Sequence, residues 1–346
     1  MPQIAVIAGD GIGSEVLAEG IKVLESVTDD LEFDHLPYGA DHYLATGETI
    51  TPEHMQALLD YDAVYLGALG DPRVPSNVHA KEILLGMRFQ LDLYINLRPC
   101  RLLDARYCPL KDKGPDDLSF TVFRENTEGL YTGVGGQFKR GTADEIAIEA
   151  ELNTRKGVER IIRAAFAYAD THGLKSVCMS DKSNAMRHGH DLWQRVFKEV
   201  GAEYPGLEQF HLYVDVLTME MVRAPERFDV IVTNNLFGDI VTDLGAQLQG
   251  GIGLAASGNL NPDAGIGMFE PVHGSAPTIV GQGIANPLAA ILSAGMMMTW
   301  LGRPELETRI ERAVRQCLEA DLITPELGGT LSTGEVGDAV VAALCA

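Results

Sequence analysis

Residues 3–24 read QIAVIAGDGIGSEVLAEGIKVL. Residues 3–8 are a short, β-branched apolar run and GDGIG is a glycine turn. Val16, Leu17, Ile21, Val23 and Leu24 then recur at helical spacing, so the unit is strand, turn, helix. Gly9, Gly11 and Gly13 do not spell GxGxxG, because the third glycine comes one residue early, and the turn is therefore not a Rossmann dinucleotide fingerprint. Residues 31–37 and Ala63–Ala68 predict further strands, with a helix over 52–59 between them. Alternating β and α elements predict helices layered on a sheet. No period of 20 to 50 residues repeats.

With 346 residues, 46 % of them hydrophobic, the chain is long enough for about two domains. A net charge of −22 argues against nucleic acid, which demands Lys and Arg for its phosphates. An anionic substrate would need a local arginine cluster. The five cysteines are odd in number, scattered and without a CxxC pair, so neither zinc nor a disulfide framework is expected, and a cytoplasmic setting fits. The N-terminus lacks the pattern of a signal peptide. The apolar stretch 285–301 contains Asn286, Pro287, Ser293 and Thr299 and is too short to span a bilayer, which makes it a buried helix.

Residues 233–253, TNNLFGDIVTDLGAQLQGGIG, put Asp239 and Asp243 four apart among Ile240, Val241, Leu244 and Leu248, hence on one helical face. Paired carboxylates of this kind suit Mg²⁺ or Mn²⁺, with substrate oxygens and water completing the shell. Arg88, Arg98 and Arg124 offer planar forks that could converge on a dicarboxylate. Tyr131 lies in a glycine-rich neighbourhood where a phenol could donate a proton. Lys182 follows the buried strand 176–180, where α/β proteins place chemistry. His188 and His190 lack a third His or Cys nearby and read as polar contacts on a helix. Residues 138–151 alternate like a hairpin, 155–170 form an amphipathic helix, and the strand 210–214 delivers Asp215 to a helix over 216–223. After Gly253, ASGNLNPDAG reads as loop. Small residues from His273 to Ala276 would let backbone approach a ligand, before a long helix begins near Asn286. Residues 305–320 and 336–344 read as surface helices.

GDGIG, NLRP, RENTEG with Tyr131, DKSN, the Asp239 and Asp243 helix, and EPVHGSAP with IANP together resemble the β-decarboxylating dehydrogenases. That family contains the isopropylmalate, isocitrate, homoisocitrate, tartrate and D-malate dehydrogenases. The resemblance covers nearly the whole chain and implies a two-domain, doubly wound α/β fold. Residues 1–98 plus 252–346 would form the large, cofactor-binding domain, and 99–251 the small domain with the dimer interface. It also implies a homodimer with shared active sites. Arg88, Arg98 and Arg124 would clamp the malate moiety, with Leu84 and Leu85 facing its substituent. Asp239 and Asp243 would hold Mg²⁺ or Mn²⁺ with Asp215 of the other subunit. Lys182, also from the partner, would assist removal of the C2 hydroxyl proton, and Tyr131 would protonate the enol after CO₂ leaves. Ile12, Asn184, Glu270, His273, Gly274, Ser275, Ala276, Thr278 and Asn286 would contact the cofactor.

Thr278 stands where an Asp often marks NAD users, and no cation is present in that turn for a 2′-phosphate, so NAD is expected. Glu82 and Leu84 replace the Ser and Asn that serve the third carboxylate of isocitrate. The paired leucines favour 3-isopropylmalate, which would place the chain in leucine biosynthesis. DEIAIEAELNTRKGVER and the VGG after Tyr131 are similar to the D-malate and tartrate enzymes, the nearest alternative. Some relatives of this fold are non-catalytic regulatory subunits, but those usually lose a catalytic group that this chain retains.

Overall fold

The computed structural model describes residues 1–345, and in it QIAVIAG becomes the strand Gln3–Gly9, followed by the helix Gly13–Val27. The turn between them requires glycine: Gly9 and Gly11 have φ of +72° and +59°, and a Cβ on Gly11 would lie 2.0 Å from the Ser275 carbonyl oxygen. The chain divides into two compact units, one of Met1–Leu93, Arg98–Leu118 and everything from Ala246 onward, the other of Tyr94–Leu97 and Ser119–Gly245.

In the first unit the strand order is Glu32–Leu36, Gln3–Gly9, Ala63–Ala68, Ile266–Pro271, Ala256–Asn261, parallel except for the last pair. The pleat sends Ala5, Ile7, Val64, Leu66, Ile266 and Met268 to one face, where they pack with Met55, Leu58, Ile83 and Met87 of the overlying helical segments. Tyr65 points to the other face and donates a 2.8 Å hydrogen bond to the Ala290 carbonyl of the helix Leu288–Trp300. Gly20 passes this ring so closely that a Cβ there would meet the phenol oxygen at 1.9 Å. Helices thus cover both faces of this sheet, which is why its central strands are apolar throughout.

The second unit repeats the layering with the parallel strands Ser119–Glu125, Val230–Thr233, Ser176–Asp181 and Glu208–Tyr213 in that spatial order. The helix Arg155–Thr171 buries Val158, Ile161, Ile162, Ala165 and Phe166, and Phe166 meets Phe197 of the helix Gly189–Gly201 at 5.3 Å between ring centroids. The antiparallel hairpin Gly135–Phe138 and Ile146–Glu149 stands exposed on both strands.

Several expectations shift. Residues 99–118 and 246–251 pack with the first unit rather than with the middle of the chain. Arg101 donates to Glu311 and its amide to Gln249 Oε1, both at 2.8 Å, and Arg106 reaches Asp321 at 2.7 Å. ASGNLN, read as loop, is the strand Ala256–Asn261. Its polar side chains are small and buried, and Asn259 and Asn261 are satisfied by Glu270 and the Leu91 carbonyl. The helix Val214–Arg223 begins early enough to carry Asp215 in its first turn. The helix Pro304–Glu319, expected at the surface, buries Leu306, Ile310, Val314 and Leu318 along one stripe.

Candidate functional site

In the second unit, Thr-Asn-Asn ends the strand Val230–Thr233 and opens the helix Asn235–Leu248. The two asparagines divide the work. Asn234 Oδ1 accepts the Phe237 amide at 2.9 Å as a helix cap. Asn235 Oδ1 is thereby left for Arg124, accepting from Nε at 3.1 Å and from Nη2 at 2.8 Å. Arg124 is 1 % exposed. Its Nη1 donates to Asp239 Oδ1 at 2.5 Å, and Tyr131 donates its hydroxyl to Asp239 Oδ2 at 2.7 Å. The guanidinium also lies 5.2 Å from the Tyr131 ring centroid. Guanidinium, carboxylate and phenol are thus assembled around one acid, and Asp243 stands one turn further along the same helix, exposed. Gly238 makes the approach possible, since a Cβ there would lie 2.5 Å from Arg124 Cγ.

Lys182 follows the strand Ser176–Asp181, and its ammonium is hydrogen-bonded to Asp215. That bond holds the Asp215 carboxyl below the usual aspartate range. Among the described residues no three His, Cys, Asp or Glu side chains gather as a metal-holding group. Asp215 therefore belongs with Lys182 in the single chain, apart from the Asp239 and Asp243 pair.

The first unit contains the remaining expected residues except Asn184, which is exposed in the second. Arg88, near the end of the helix Val78–Gln90, donates to Glu270 at 2.9 Å, and Glu270 also accepts from Asn259 at 2.8 Å. Arg98 is buried on the strand Ile95–Arg101. Leu84 and Leu85 are half-buried, and Leu84 packs against the first unit's own core. Glu82 is exposed and bonded to Thr49.

Around the glycine turn, the Ile12 amide donates to the Ser275 carbonyl at 3.0 Å and the Gly281 amide to Glu15 at 2.7 Å, so the segment after His273 docks on GDGIG. Ala276 adopts φ +41° in that segment. His273 Nε2 and Asn286 Nδ2 are buried with no hydrogen-bond partner among the described residues. Burial lowers the His273 pKa, which favours its neutral ring. Gly274 and Thr278 are exposed, and Thr278 contributes only its carbonyl, to Gln282. A groove of about 410 Å³ runs past Gly9, Gly11, Ser14, Arg73, Pro277 and Val280. Arg73 is engaged by Asp71 and by Asp41, each at 2.7 Å.

Sequence reasoning missed Asn235, Gly238 and the Asp10–His79 pair. The doubled Asn before an apolar helix was a readable signal, because one cap needs only one of them. Asp10 was hidden: it accepts from the Ala40 amide at 2.6 Å, the Gly70 amide at 2.7 Å and His79 Nε2 at 2.7 Å, fixing the glycine turn to three later segments. Partners 30 to 69 positions away leave no local pattern.

A family model described as isocitrate/isopropylmalate dehydrogenase matches residues 3–340. A 3-isopropylmalate dehydrogenase of Thermobifida fusca is 48 % identical over 97 % of this chain and 96 % of its own length. One of Beutenbergia cavernae is 50 % identical over 98 % and 97 %. Among solved structures, an isocitrate dehydrogenase from Methylococcus capsulatus superposes with a TM-score of 0.91 at 35 % identity, covering 99 % of both chains. A β-decarboxylating dehydrogenase from Thermococcus kodakarensis gives 0.82 at 35 % identity, over 99 % of this chain and 96 % of that one.

Proposed function

Because the chain belongs to the isocitrate/isopropylmalate dehydrogenase family, we propose that it oxidatively decarboxylates 3-isopropylmalate with NAD and Mg²⁺ or Mn²⁺. The observation that carries this reading is the assembly of Arg124 and Tyr131 on Asp239, one helical turn from Asp243. Hard carboxylate oxygens beside a fixed guanidinium fit a divalent cation that shares a dicarboxylate with arginine. Asp239 and Asp243, with Asp215 of the other subunit, would hold that cation. When bound, the ion supplies Lewis-acid stabilisation of the charge that develops as CO₂ departs.

The protein's own groups account for the rest. Arg88, Arg98 and Arg124 bind and orient the two carboxylates of the malate moiety. Lys182, held by Asp215, assists removal of the proton from the C2 hydroxyl. Tyr131 gives a proton to C3 once the carboxylate has left. The unfilled His273 Nε2 and Asn286 Nδ2, together with the glycine turn under Ser275, suit a nucleotide cofactor. Arg73 spends Nε and Nη2 on Asp71 and Asp41, and the two carboxylates beside it disfavour a 2′-phosphate, which supports NAD over NADP. Leu85, together with any face of Leu84 not spent on the core, would meet the isopropyl group.

Exposed apolar side chains support a homodimer. Met219, Val222 and Ile240 stand out on two helices of the second unit, with Phe138, Ile146 and Ile148 on its hairpin. No helix among the described residues is long and apolar enough to cross a membrane; a cytoplasmic location belongs to the same proposal.

Initial rates with 3-isopropylmalate, D-malate, tartrate and isocitrate, each with NAD or NADP and with or without Mn²⁺, test the proposal. The highest kcat/KM is expected for 3-isopropylmalate with NAD and Mn²⁺. A higher value for D-malate or tartrate would move the substrate assignment, and no turnover with any acid would mark a regulatory subunit.

A further inference from the structure

One buried polar cluster in the second unit has no part in the chemistry above. His190 is fully buried in the first turn of the helix Gly189–Gly201. Its Nδ1 lies 2.7 Å from the backbone nitrogen of Lys182, which can only donate, so Nδ1 is the acceptor and the proton of the neutral ring is on Nε2. That proton is directed at Glu151, with Nε2 3.1 Å from Oε2. Glu151 is fixed in turn by Asn234 Nδ2 at 2.6 Å and Asn153 Nδ2 at 3.0 Å. Asn234 also caps the helix that carries Asp239 and Asp243. Four segments meet here: the strand end that presents Lys182, the helix of His190, the root of the exposed hairpin, and the start of the acid-bearing helix.

We propose that His190, oriented by Glu151 and Asn234, is a positioning residue that fixes the backbone of Lys182 relative to the acid-bearing helix. A lysine side chain is long and flexible, so the aim of its ammonium depends on how firmly its own backbone is held. The Lys182 carbonyl is already held by the Ala185 and Met186 amides at 2.9 and 2.8 Å, and its N–H is held by His190. Removing the ring would leave this partly buried amide without its acceptor, and the segment would shift to find another. Glu151 shares this role by accepting the Nε2 proton and so fixing the ring's rotation, as carboxylates do behind functional histidines elsewhere, and Asn234 shares it by holding Glu151.

The inference rests on Lys182 acting on the C2 hydroxyl, and the test separates the two ideas. His190→Leu, His190→Asn and Lys182→Ala are compared with the native enzyme for kcat, for KM of the hydroxy acid and NAD, and for thermal midpoint. His190→Leu is expected to lower kcat about tenfold or more, with both KM values within about twofold. His190→Asn offers Oδ1 where Nδ1 stood and is expected to restore most of the lost rate. Lys182→Ala is expected to abolish turnover while NAD still binds. Retained turnover in Lys182→Ala would overturn the lysine assignment. A dead Lys182→Ala beside a fully active His190→Leu would overturn the positioning role, as would equal losses in the Leu and Asn variants with matching falls in thermal midpoint.

Discussion

Arg124 is the residue whose geometry is most completely determined before substrate arrives. Asn235 takes two of its donors, Asp239 a third, and the bare face of Gly238 lies against its aliphatic stem. Gly238→Ala is therefore expected to act on chemistry more than on folding. The new methyl would displace a buried side chain, and a misplacement of about 1 Å at such a site costs on the order of a hundredfold in rate. A fall of tenfold or more in kcat/KM for the hydroxy acid, with an unchanged circular dichroism spectrum and intact NAD binding, is the expected outcome. Native kinetics in this variant would show that the guanidinium does not need its present position. The acids, Tyr131 and Lys182 were legible as residue types in the sequence. Gly238 was not, because a helical glycine with negative φ looks like any small residue until its neighbour is known.

At the scale of elements, strands and helices followed from apolar periodicity, and two of the failures share one cause. The strand Ala256–Asn261 was read as loop because Ser257, Asn259 and Asn261 carry polarity that local rules assign to turns, whereas buried partners from distant segments satisfy them. The brace behind Lys182 was missed for the same reason: His190 was read correctly as a polar contact, but Glu151 and Asn234 lie 39 and 44 positions away. That brace carries a pH signature. Burial pushes the Glu151 carboxyl up, but hydrogen bonds from His190, Asn153 and Asn234 outweigh it and leave the pKa below the usual glutamate value. A depressed folded pKa contributes stability that is complete above the unfolded value and is lost as pH falls through the folded one. Asp181 behaves alike: burial raises its pKa, and His211, the Ser183 amide and Gln194 lower it further than burial raises it. Glu151→Gln is accordingly expected to flatten the acid limb of the stability curve below the ordinary glutamate pKa while barely altering its slope near neutrality. Thermal midpoints measured from pH 3 to 7 would show it, and an acid limb as steep as the native one would remove Glu151 from this account.

For the molecule as a whole, the separation of Lys182 and Asp215 from Asp239 and Asp243 within one chain becomes the decisive feature. Among the described residues Asp239 and Asp243 are joined by no third His, Cys, Asp or Glu in a metal-holding group, while Asp215 is paired with Lys182. Exposed Met219, Val222 and Ile240 lie on the very helices that carry Asp215 and Asp239, so burying that apolar surface against a second copy would bring one copy's acids toward the other's. This arrangement makes a prediction that no single-chain site can imitate. Lys182→Ala and Asp239→Asn proteins, each expected to be inactive alone, are mixed, dissociated and reassociated. If each site draws Lys182 from one subunit and Asp239 from the other, a mixed dimer has one site with both lesions and one with neither. Random pairing of equal amounts makes half the dimers mixed, so roughly a quarter of all sites become native. Recovery of about that share of native turnover is the expected result, and it should vanish when Ile240→Asp blocks reassociation. Two inactive parents that stay inactive after verified subunit exchange would put Lys182 and Asp239 of one subunit in the same site, with one lesion in each site of a mixed dimer, and end the shared-site reading.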